Sequence, residues 1–159
     1  MQNTSNAVHQ YIPGQEIQTL SVVKEISIAA PIETSWEAML DEIGPNLTQP
    51  DGAKMPFKLE AWPGGRYYRD LGNNAGHLWG HVQVIKPPKL LEINGPMFMS
   101  YPVASHIQYR LTPDGDRATK LKLTHRAFGL LPPDAYQVED GWGGIIENIR
   151  KHAERSAKK

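Results

Sequence analysis

The chain has 159 residues, 40% of them hydrophobic and 21% charged, and its 17 basic side chains balance 17 acidic ones. Such a composition is ordinary for one globular domain, and zero net charge argues against nucleic-acid binding, which requires a basic surface. The sequence has no cysteine, which excludes disulfides and thiolate chemistry, and it has neither a membrane-spanning apolar run nor a secretory signal, so we expect a cytoplasmic protein.

The N-terminal part predicts an extension, a strand and a helix. Residues 1–18 have no hydrophobic periodicity, which indicates a flexible N-terminal extension. From Leu20 to Ala29 apolar and polar residues alternate, as is typical of a β-strand. Proline suits the first turn of a helix, so we expect a helix to begin at Pro31. Gly44-Pro45 ends this helix, and a turn-rich connection follows it.

A meander of about six strands is predicted between Met55 and Phe128, because apolar runs alternate there with turns that contain proline, glycine or asparagine. The turn Leu71-Gly72-Asn73-Asn74 indicates a tight hairpin, since glycine and asparagine tolerate positive φ. Strict alternation defines the final two strands best. The predicted strands cover residues 57–62, 66–70, 78–85, 90–94, 105–112 and 118–128.

The last long segment, from Asp134 to Arg155, predicts an amphipathic helix. Its apolar residues recur at intervals of three and four, which places them on one wide face. Gly143 and Gly144 each cost about 1 kcal/mol relative to alanine inside a helix. They indicate tight packing of the helix on the sheet, which we favour, or else room for a ligand or backbone to approach closely, or a kink in the helix. The apolar face consists of Val138, Trp142, Ile145, Ile149 and Ala153, and Ile146 widens it.

These elements predict an α+β fold. Sequential strands joined by short loops form antiparallel sheets that are apolar on one face. One helix cannot cover a flat sheet of this width, so we expect a curved antiparallel sheet of six to seven strands wrapped on the long C-terminal helix, with short helices after the first strand. A cavity should remain between sheet and helix. The domain is predicted to span residues 19–155, and residues 156–159 form a basic C-terminal end.

Four motifs occur in order along the chain: Glu25–Met39, Trp62-Pro63-Gly64-Gly65-Arg66-Tyr67, Gly80–Leu90, and Gly141-Trp142 with the isoleucines that follow it. They resemble motifs of START-like (SRPBCC, helix-grip) domains, in particular the branch named after the activator of the heat-shock protein 90 ATPase. The resemblance implies the helix-grip fold and a pocket for a small, largely hydrophobic molecule. The superfamily shares no catalytic set, so the resemblance transfers no catalytic residue, and we expect no cofactor.

The histidines are the first candidates for chemistry. His125 is predicted to face the terminal helix together with Leu121 and Leu123. An inward histidine is usually a hydrogen-bonded core residue, and the alternatives are a residue that orients a ligand or an acid–base group. His77 and His81 fall on one strand, where residues four apart are separated by about 13 Å, too far to share a metal ion. We therefore expect no metal site.

Arg69 is the second candidate. If Tyr67 faces inward, Arg69 does too, and a buried arginine needs a carboxylate partner or an anionic ligand. Glu60 or Glu92 is a candidate partner. A β-bulge that turns Arg69 to solvent is the equally weighted alternative.

The apolar connection Pro96–Pro102 is predicted to be a lid or rim of the pocket, or part of a homodimer interface. Aromatic and methionine side chains line adaptable apolar pockets, and the candidate ligand-binding residues follow from this and from the resemblance. They are Trp62, Tyr67, Arg69, Val82, Met97, Met99, Tyr109, Leu123, His125, Trp142 and Ile145.

Three functions are compatible with the sequence. The first is non-covalent binding of a small hydrophobic or amphipathic molecule, as in the lipid and hormone binders of the superfamily. The second is an enzyme on the same scaffold, such as a cyclase, dehydratase or hydrolase-like protein, with His125 or Arg69 acting on the substrate. The third is a regulatory module that contacts a chaperone. Two titratable groups converging in a wet pocket would favour the second, and a sealed core with an exposed apolar patch would favour the third.

Overall fold

The computed structural model describes residues 15–159. Most of the predicted N-terminal extension, residues 1–14, lies outside the described residues. The elements of the described part are β1 (Gln18–Ile28), α1 (Ile32–Ile43), β2 (Lys58–Leu59), β3 (Arg66–Gly72), β4 (Ala75–Lys86), β5 (Leu90–Gly95), β6 (Val103–Pro113), β7 (Thr119–Gly129) and α2 (Val138–Ala157), with a single 3-10 turn (Ala135–Gln137) before α2.

The strands form one antiparallel sheet in the order β1-β7-β6-β5-β4-β3-β2. The first strand, β1, pairs with the last strand, β7. From β2 to β7 each strand pairs with the next one along the chain. The sheet curves around α2, and α1 packs beside that helix. The predicted α+β helix-grip fold is therefore confirmed.

The β6–β7 hairpin shows how alternation sets the core. Ile107 pairs with His125, Tyr109 with Leu123, and Leu111 with Leu121. All six side chains are buried, because successive residues of a strand point to opposite faces and these six share the face toward α2. The sequence predicted the inward faces of both strands, and the turn at Asn73 and Asn74 also has the expected positive φ, 53° and 62°.

The predicted strand at residues 57–62 is wrong in length, since β2 contains only Lys58 and Leu59. Pairing stops at Glu60, whose carboxylate accepts hydrogen bonds from the backbone N–H and the guanidinium of Arg66 at 2.9 and 2.7 Å. The chain then turns, and Gly65 N–H donates to the carbonyl of Trp62 at 2.8 Å. The hydrogen bonds from the side chain and then the backbone of Arg66 lower the pKa of Glu60 to about 2.

Helix α2 buries its apolar face as predicted. Trp142, Ile146, Ile149 and Ala153 are buried between the sheet and α1. The face is wide enough to contact both layers at once, so it forms the centre of the hydrophobic core.

Polar contacts fix the C-terminal half of α2. The Glu154 carboxylate accepts from the backbone N–H of Ala29 at 3.0 Å and from Arg150 at 2.8 Å. His152 bonds to Glu42 of α1 at 2.8 Å. These bonds join the helix to both the end of β1 and the neighbouring helix.

The close approach of the paired strands β4 and β5 depends on two glycines. A Cβ atom on Gly95 would lie 2.2 Å from the carbonyl oxygen of Trp79 and 2.3 Å from the Cα of Gly80. A Cβ atom on Gly80 would lie 2.6 Å from the carbonyl oxygen of Asn94. Such distances are far inside van der Waals contact, so only glycine at both positions allows the strands to approach this closely.

Trp79 itself is the extra residue of a β-bulge. Tyr67 pairs with Gly80 whereas Tyr68 pairs with Leu78, so Trp79 has no opposite residue on β3. A bulge interrupts the alternation of a strand and redirects the side chain it carries. This local irregularity brings Trp79 to the cavity described below.

Candidate functional site

A cavity of about 450 Å³ lies between the first half of α2, the α1–β2 connection and the concave face of the sheet. The sheet side contributes Tyr67 and Trp79, and Met97 adds a thioether from the β5–β6 connection. The helix side contributes Val138, Trp142 and Ile145. The predicted space beside Trp142 is therefore present, and aromatic and aliphatic groups dominate its walls.

The α1–β2 connection forms the outer wall through Leu47, Pro50 and Met55. It folds back on itself, because Met55 N–H donates to the Leu47 carbonyl and Gln49 N–H to the Ala53 carbonyl, both at 2.8 Å. The sequence predicts only a turn-rich connection here. Its alternation is too short to predict a wall, so Leu47 and Met55 were missed.

The glycines of α2 open the cavity. A Cβ atom on Gly141, Gly143 or Gly144 would meet nothing within 4 Å, and Gly141 and Gly144 line the cavity. The favoured interpretation of these glycines, tight packing of the helix on the sheet, is therefore wrong. Their missing side chains leave space, which is the alternative that the sequence also allowed.

His125 lies in a linear chain of hydrogen bonds that runs from Trp142 to the Pro96 carbonyl. The indole Nε1–H of Trp142 donates to Nδ1 of His125 at 2.9 Å, and Nε2 of His125 lies 3.0 Å from the Ser105 hydroxyl. Because an indole nitrogen can only donate, Nδ1 must be the acceptor, so a neutral His125 carries its proton on Nε2 and donates to Ser105. The Ser105 hydroxyl in turn donates to the Pro96 carbonyl at 3.2 Å.

This arrangement does not suit acid–base chemistry. His125 is fully buried, and desolvation of the charged form lowers its pKa to about 4. Both ring nitrogens are already bonded, and the Nε2–H points to the serine, so the imidazole cannot accept the serine proton. His125 is a hydrogen-bonded core residue, which is the first of the alternatives that the sequence left open.

One cavity-lining residue has a buried polar atom without a partner. The indole Nε1 of Trp79 is buried and has no hydrogen-bond partner among the described residues. The ring is held edge-to-face against Phe57, with ring centroids 5.0 Å apart. A buried donor without an acceptor costs about 1–3 kcal/mol, and such atoms are rare in native proteins.

The Pro96–Pro102 connection forms part of the cavity rim, which is one of the roles predicted for it. Met97 is buried with a φ of 57°, and Ser100 has a φ of 68°. Positive φ is unfavourable for residues with a Cβ atom, so the connection adopts a strained backbone while its Met97 side chain lines the cavity. Phe98 stacks on His125 with ring centroids 5.7 Å apart.

Arg69 lies outside the cavity. It is half-buried in a depression of the β3–β4 hairpin, and both carboxylates considered for it have other partners. Glu60 binds Arg66, and Glu92 bonds to His106 and Gln108 at 3.2 and 2.9 Å. A β-bulge, the predicted alternative to an inward Arg69, is present next to Tyr67, although its extra residue is Trp79 on β4.

The eleven predicted ligand-binding residues separate into three groups, and their role in binding stays a prediction. Tyr67, Met97, Trp142 and Ile145 line the cavity. Val82, Tyr109, Leu123 and His125 are buried in the core and do not line it. Trp62 is 57% exposed, and neither it nor Arg69 nor Met99 reaches the cavity. Trp79, Val138, Gly141 and Gly144 also line the cavity and are absent from the predicted set.

Other sites are less suited to a ligand. A depression of about 810 Å³ on the outer face of the sheet is lined by solvent-facing strand residues such as Thr19, Arg126 and Phe128, and it does not involve α2. Within residues 15–159 no cluster of three or more His, Asp or Glu side chains could hold a metal ion. In the same range neither helix has the length and hydropathy that a bilayer crossing requires.

A curved sheet closed on one long helix, with an apolar cavity between them, defines a helix-grip protein. The chain belongs to the family of Activator of Hsp90 ATPase homolog 1-like proteins, whose model matches residues 29–154. No curated protein matches this sequence.

Solved structures share the fold. CalU16 from Micromonospora echinospora is 25% identical over 82% of this chain and 71% of its own, with a TM-score of 0.57. Protein MLL2253 from Mesorhizobium loti is 22% identical over 86% of this chain and 98% of its own, with a TM-score of 0.59. Protein SA2116 from Staphylococcus aureus is 14% identical over 91% of this chain and 99% of its own, with a TM-score of 0.62.

Proposed function

We propose that this protein binds a small, largely hydrophobic molecule non-covalently in the cavity beside Trp142. The observation that carries the proposal is an open apolar space of about 450 Å³ facing helix glycines whose Cβ positions are free. Ligand pockets commonly measure about 300–1,000 Å³. At about 30 Å³ per water molecule, the space corresponds to roughly fifteen waters, which suits a ligand with a similar number of non-hydrogen atoms.

Burial of apolar surface would supply the binding free energy, at about 25 cal/mol per Å² removed from water. Helix residues without side chains cost stability but keep the volume open, as expected where space has a use. Cytoplasmic location is part of this proposal, because a chain without cysteines suits a reducing compartment.

The two alternatives have less support. The enzymatic one relied on His125 and Arg69, which do not converge on the cavity. The chaperone-binding one called for a sealed core, whereas this core has an accessible cavity. A homodimer through the Pro96–Pro102 connection would use the same residues that form the cavity rim, of which Met97 is buried.

Gly141→Leu is expected to weaken binding of the neutral fluorophore prodan roughly tenfold, equivalent to about 1.4 kcal/mol. Gly141 faces the cavity, so a leucine side chain would occupy the space that the probe needs. The measurement is a titration of wild type and variant that follows the blue shift and intensity gain of prodan in an apolar environment.

Gly143→Leu is the matched control. Gly143 is about 200° around the helix from Gly141, does not line the cavity and also has free space at its Cβ. Both substitutions replace a helix glycine with leucine and should raise helix stability similarly. Equal prodan affinity of the two variants, or wild-type protein that does not bind prodan at all, would contradict the proposal. If the proposal holds, native mass spectrometry of protein purified from its own host should identify a retained molecule.

A further inference from the structure

We propose that Ser105 is a positioning residue for the ligand cavity: its hydroxyl holds both Met97 of the rim and Trp142 of the helix wall. These two residues line the cavity, whereas Ser105 does not. The inference rests on the proposed binding function, and it adds the residue that keeps two walls of the site in their observed arrangement.

The first contact of Ser105 acts on the backbone of Met97. The Ser105 hydroxyl donates to the Pro96 carbonyl at 3.2 Å, and the backbone N–H of Phe98 donates to the same oxygen at 2.6 Å. This carbonyl belongs to the peptide plane between Pro96 and Met97, so fixing the oxygen limits rotation about the N–Cα bond of Met97. The φ of Met97 is 57°, a value that a residue with a Cβ atom keeps only where its surroundings hold it. Ser105 therefore helps to keep this backbone, and the side chain that it carries, at the cavity.

The second contact of Ser105 acts on Trp142 through His125. The Nε2–H of His125 donates to the Ser105 hydroxyl at 3.0 Å, and Nδ1 accepts from the Trp142 indole at 2.9 Å. An indole has a single polar hydrogen, so this bond sets the direction of the ring. The neighbours of Trp142 in the chain, Gly141 and Gly143, carry no side chain that supports it.

A hydroxyl group suits this place between the two walls. It must accept from an N–H and donate to a carbonyl at the same time, and a hydroxyl has one donor and two acceptor lone pairs. Ser105 is 7% exposed, and His125 is fully buried. Loss of the hydroxyl would leave the Nε2–H of His125 as a buried donor without an acceptor, and it would release both walls at once.

The test compares Ser105→Val with Ser105→Thr. Valine and threonine have nearly the same shape and differ by a methyl group in place of the hydroxyl, so steric effects are common to both variants. Affinity is measured by titration with prodan, as for the glycine variants. We expect Ser105→Thr to bind prodan much like the wild type and Ser105→Val to bind it roughly fivefold more weakly, within the range for residues that act through others.

Thr119→Val separates positioning from general destabilisation. The Thr119 hydroxyl is buried and donates to the Ala30 carbonyl at 2.8 Å. Thr119 does not line the cavity, and it begins β7, six residues before His125. This variant also loses a buried hydrogen bond when a methyl group replaces a hydroxyl. It should therefore lower the free energy of unfolding but leave the affinity for prodan unchanged.

Proton NMR gives a signal that a merely structural role of Ser105 would not move. The chain has four tryptophans, and the indole N–H signal of Trp142 is the one that disappears in Trp142→Phe. We expect this signal to shift upfield in Ser105→Val, because its acceptor His125 is no longer held, and to stay in place in Ser105→Thr and Thr119→Val. In the wild type, prodan should shift the ring signals of His125 as well, although His125 does not line the cavity.

The outcomes separate this inference from the proposed function. If Ser105→Val and Ser105→Thr bind prodan equally, the hydroxyl does not position the walls, and the inference is overturned while the binding function stands. The same holds if Thr119→Val weakens binding as much as Ser105→Val. Where Ser105→Val does not fold, the wild type decides, because His125 signals that do not respond to bound prodan overturn the inference. Wild-type protein that does not bind prodan contradicts the binding function itself.

Discussion

Acidification from pH 7 to pH 4.5 is expected to cost the protein roughly 2.5 kcal/mol of unfolding free energy through His125 alone. In the folded state burial lowers the pKa of His125 from 6.5 to about 4. Between these values the unfolded chain binds a proton that the folded protein does not. Stability is therefore unaffected by this group above pH 6.5 and falls as the pH decreases from 6.5 to 4.

Protonation below that range would also disrupt the hydrogen-bond chain. With a proton on both ring nitrogens, His125 would present N–H to the indole N–H of Trp142, so two donors would face each other. The bond that connects α2 to β7 would be lost beside the cavity. We expect the acid-induced loss of stability to be accompanied by a change in Trp142 fluorescence.

Urea unfolding of wild type and His125→Gln at several pH values between 7 and 4.5 tests this expectation. The variant should be less stable at pH 7 and should lose less stability on acidification, so that the two curves approach each other. His81→Gln, which replaces an exposed histidine of β4, should follow the wild type.

Between pH 7 and pH 4.5 the change in stability reports the titration of His125 and not that of the carboxylates. The pKa of Glu60 is lowered by its bonds to Arg66, and that of Asp70 by its bond to Lys58. Their stabilising effect is present above the pKa of an unfolded carboxyl, about 4.3 for glutamate, and decreases only below it. Parallel curves for wild type and His125→Gln down to pH 4.5 would refute the assignment of acid sensitivity to His125.

Gly95→Ala is expected to destabilise the fold by roughly 3 kcal/mol, at the upper end of the usual range for overpacking. The added Cβ would lie 2.2 Å from the Trp79 carbonyl oxygen and 2.3 Å from the Gly80 Cα. Both neighbours are backbone atoms of the adjacent strand, so relief requires separation of β4 from β5 rather than a side-chain rotation. Urea unfolding at pH 7 gives the difference.

Gly143→Ala is the comparison for Gly95→Ala. Its Cβ would meet nothing within 4 Å, so the substitution should increase stability by about 1 kcal/mol through helix propensity. The same chemical change is thus expected to have opposite signs at the two positions. A loss of less than about 0.5 kcal/mol for Gly95→Ala, the size of an ordinary surface substitution, would show that the strands tolerate a wider spacing.

The fold could be predicted because its main elements follow simple periodicities. Alternation placed Leu121, Leu123 and His125 on one face, and intervals of three and four placed Trp142 and Ile149 on one face of a helix. Both patterns are local, and both are confirmed. The family motifs predicted how the sheet and the helix pack together, which periodicity alone does not provide.

The candidate site was harder to predict because it depends on departures from periodicity. A bulge moves Trp79 to the cavity, and nothing in the alternation of β4 announces a bulge. The same sequence of helix glycines fits close packing or open space, since only the distance to the facing layer decides between them. Arg69 was ambiguous for a related reason, because the bulge between β3 and β4 lies close to it.

The two ends of α2 differ in how firmly they are held. Three of the residues from Gly141 to Gly144 lack a side chain, the N-cap residue Gln137 makes no side-chain capping bond, and Glu139 is joined to Lys24 of β1 only by an exposed ion pair at 3.1 Å. The other end is tied to α1 through His152 and to β1 through Glu154. Local opening should therefore begin at the N-terminal turns of the helix and leave the sheet intact. Such fraying would give a ligand access to the cavity. A bound ligand would in turn slow amide hydrogen exchange in those turns.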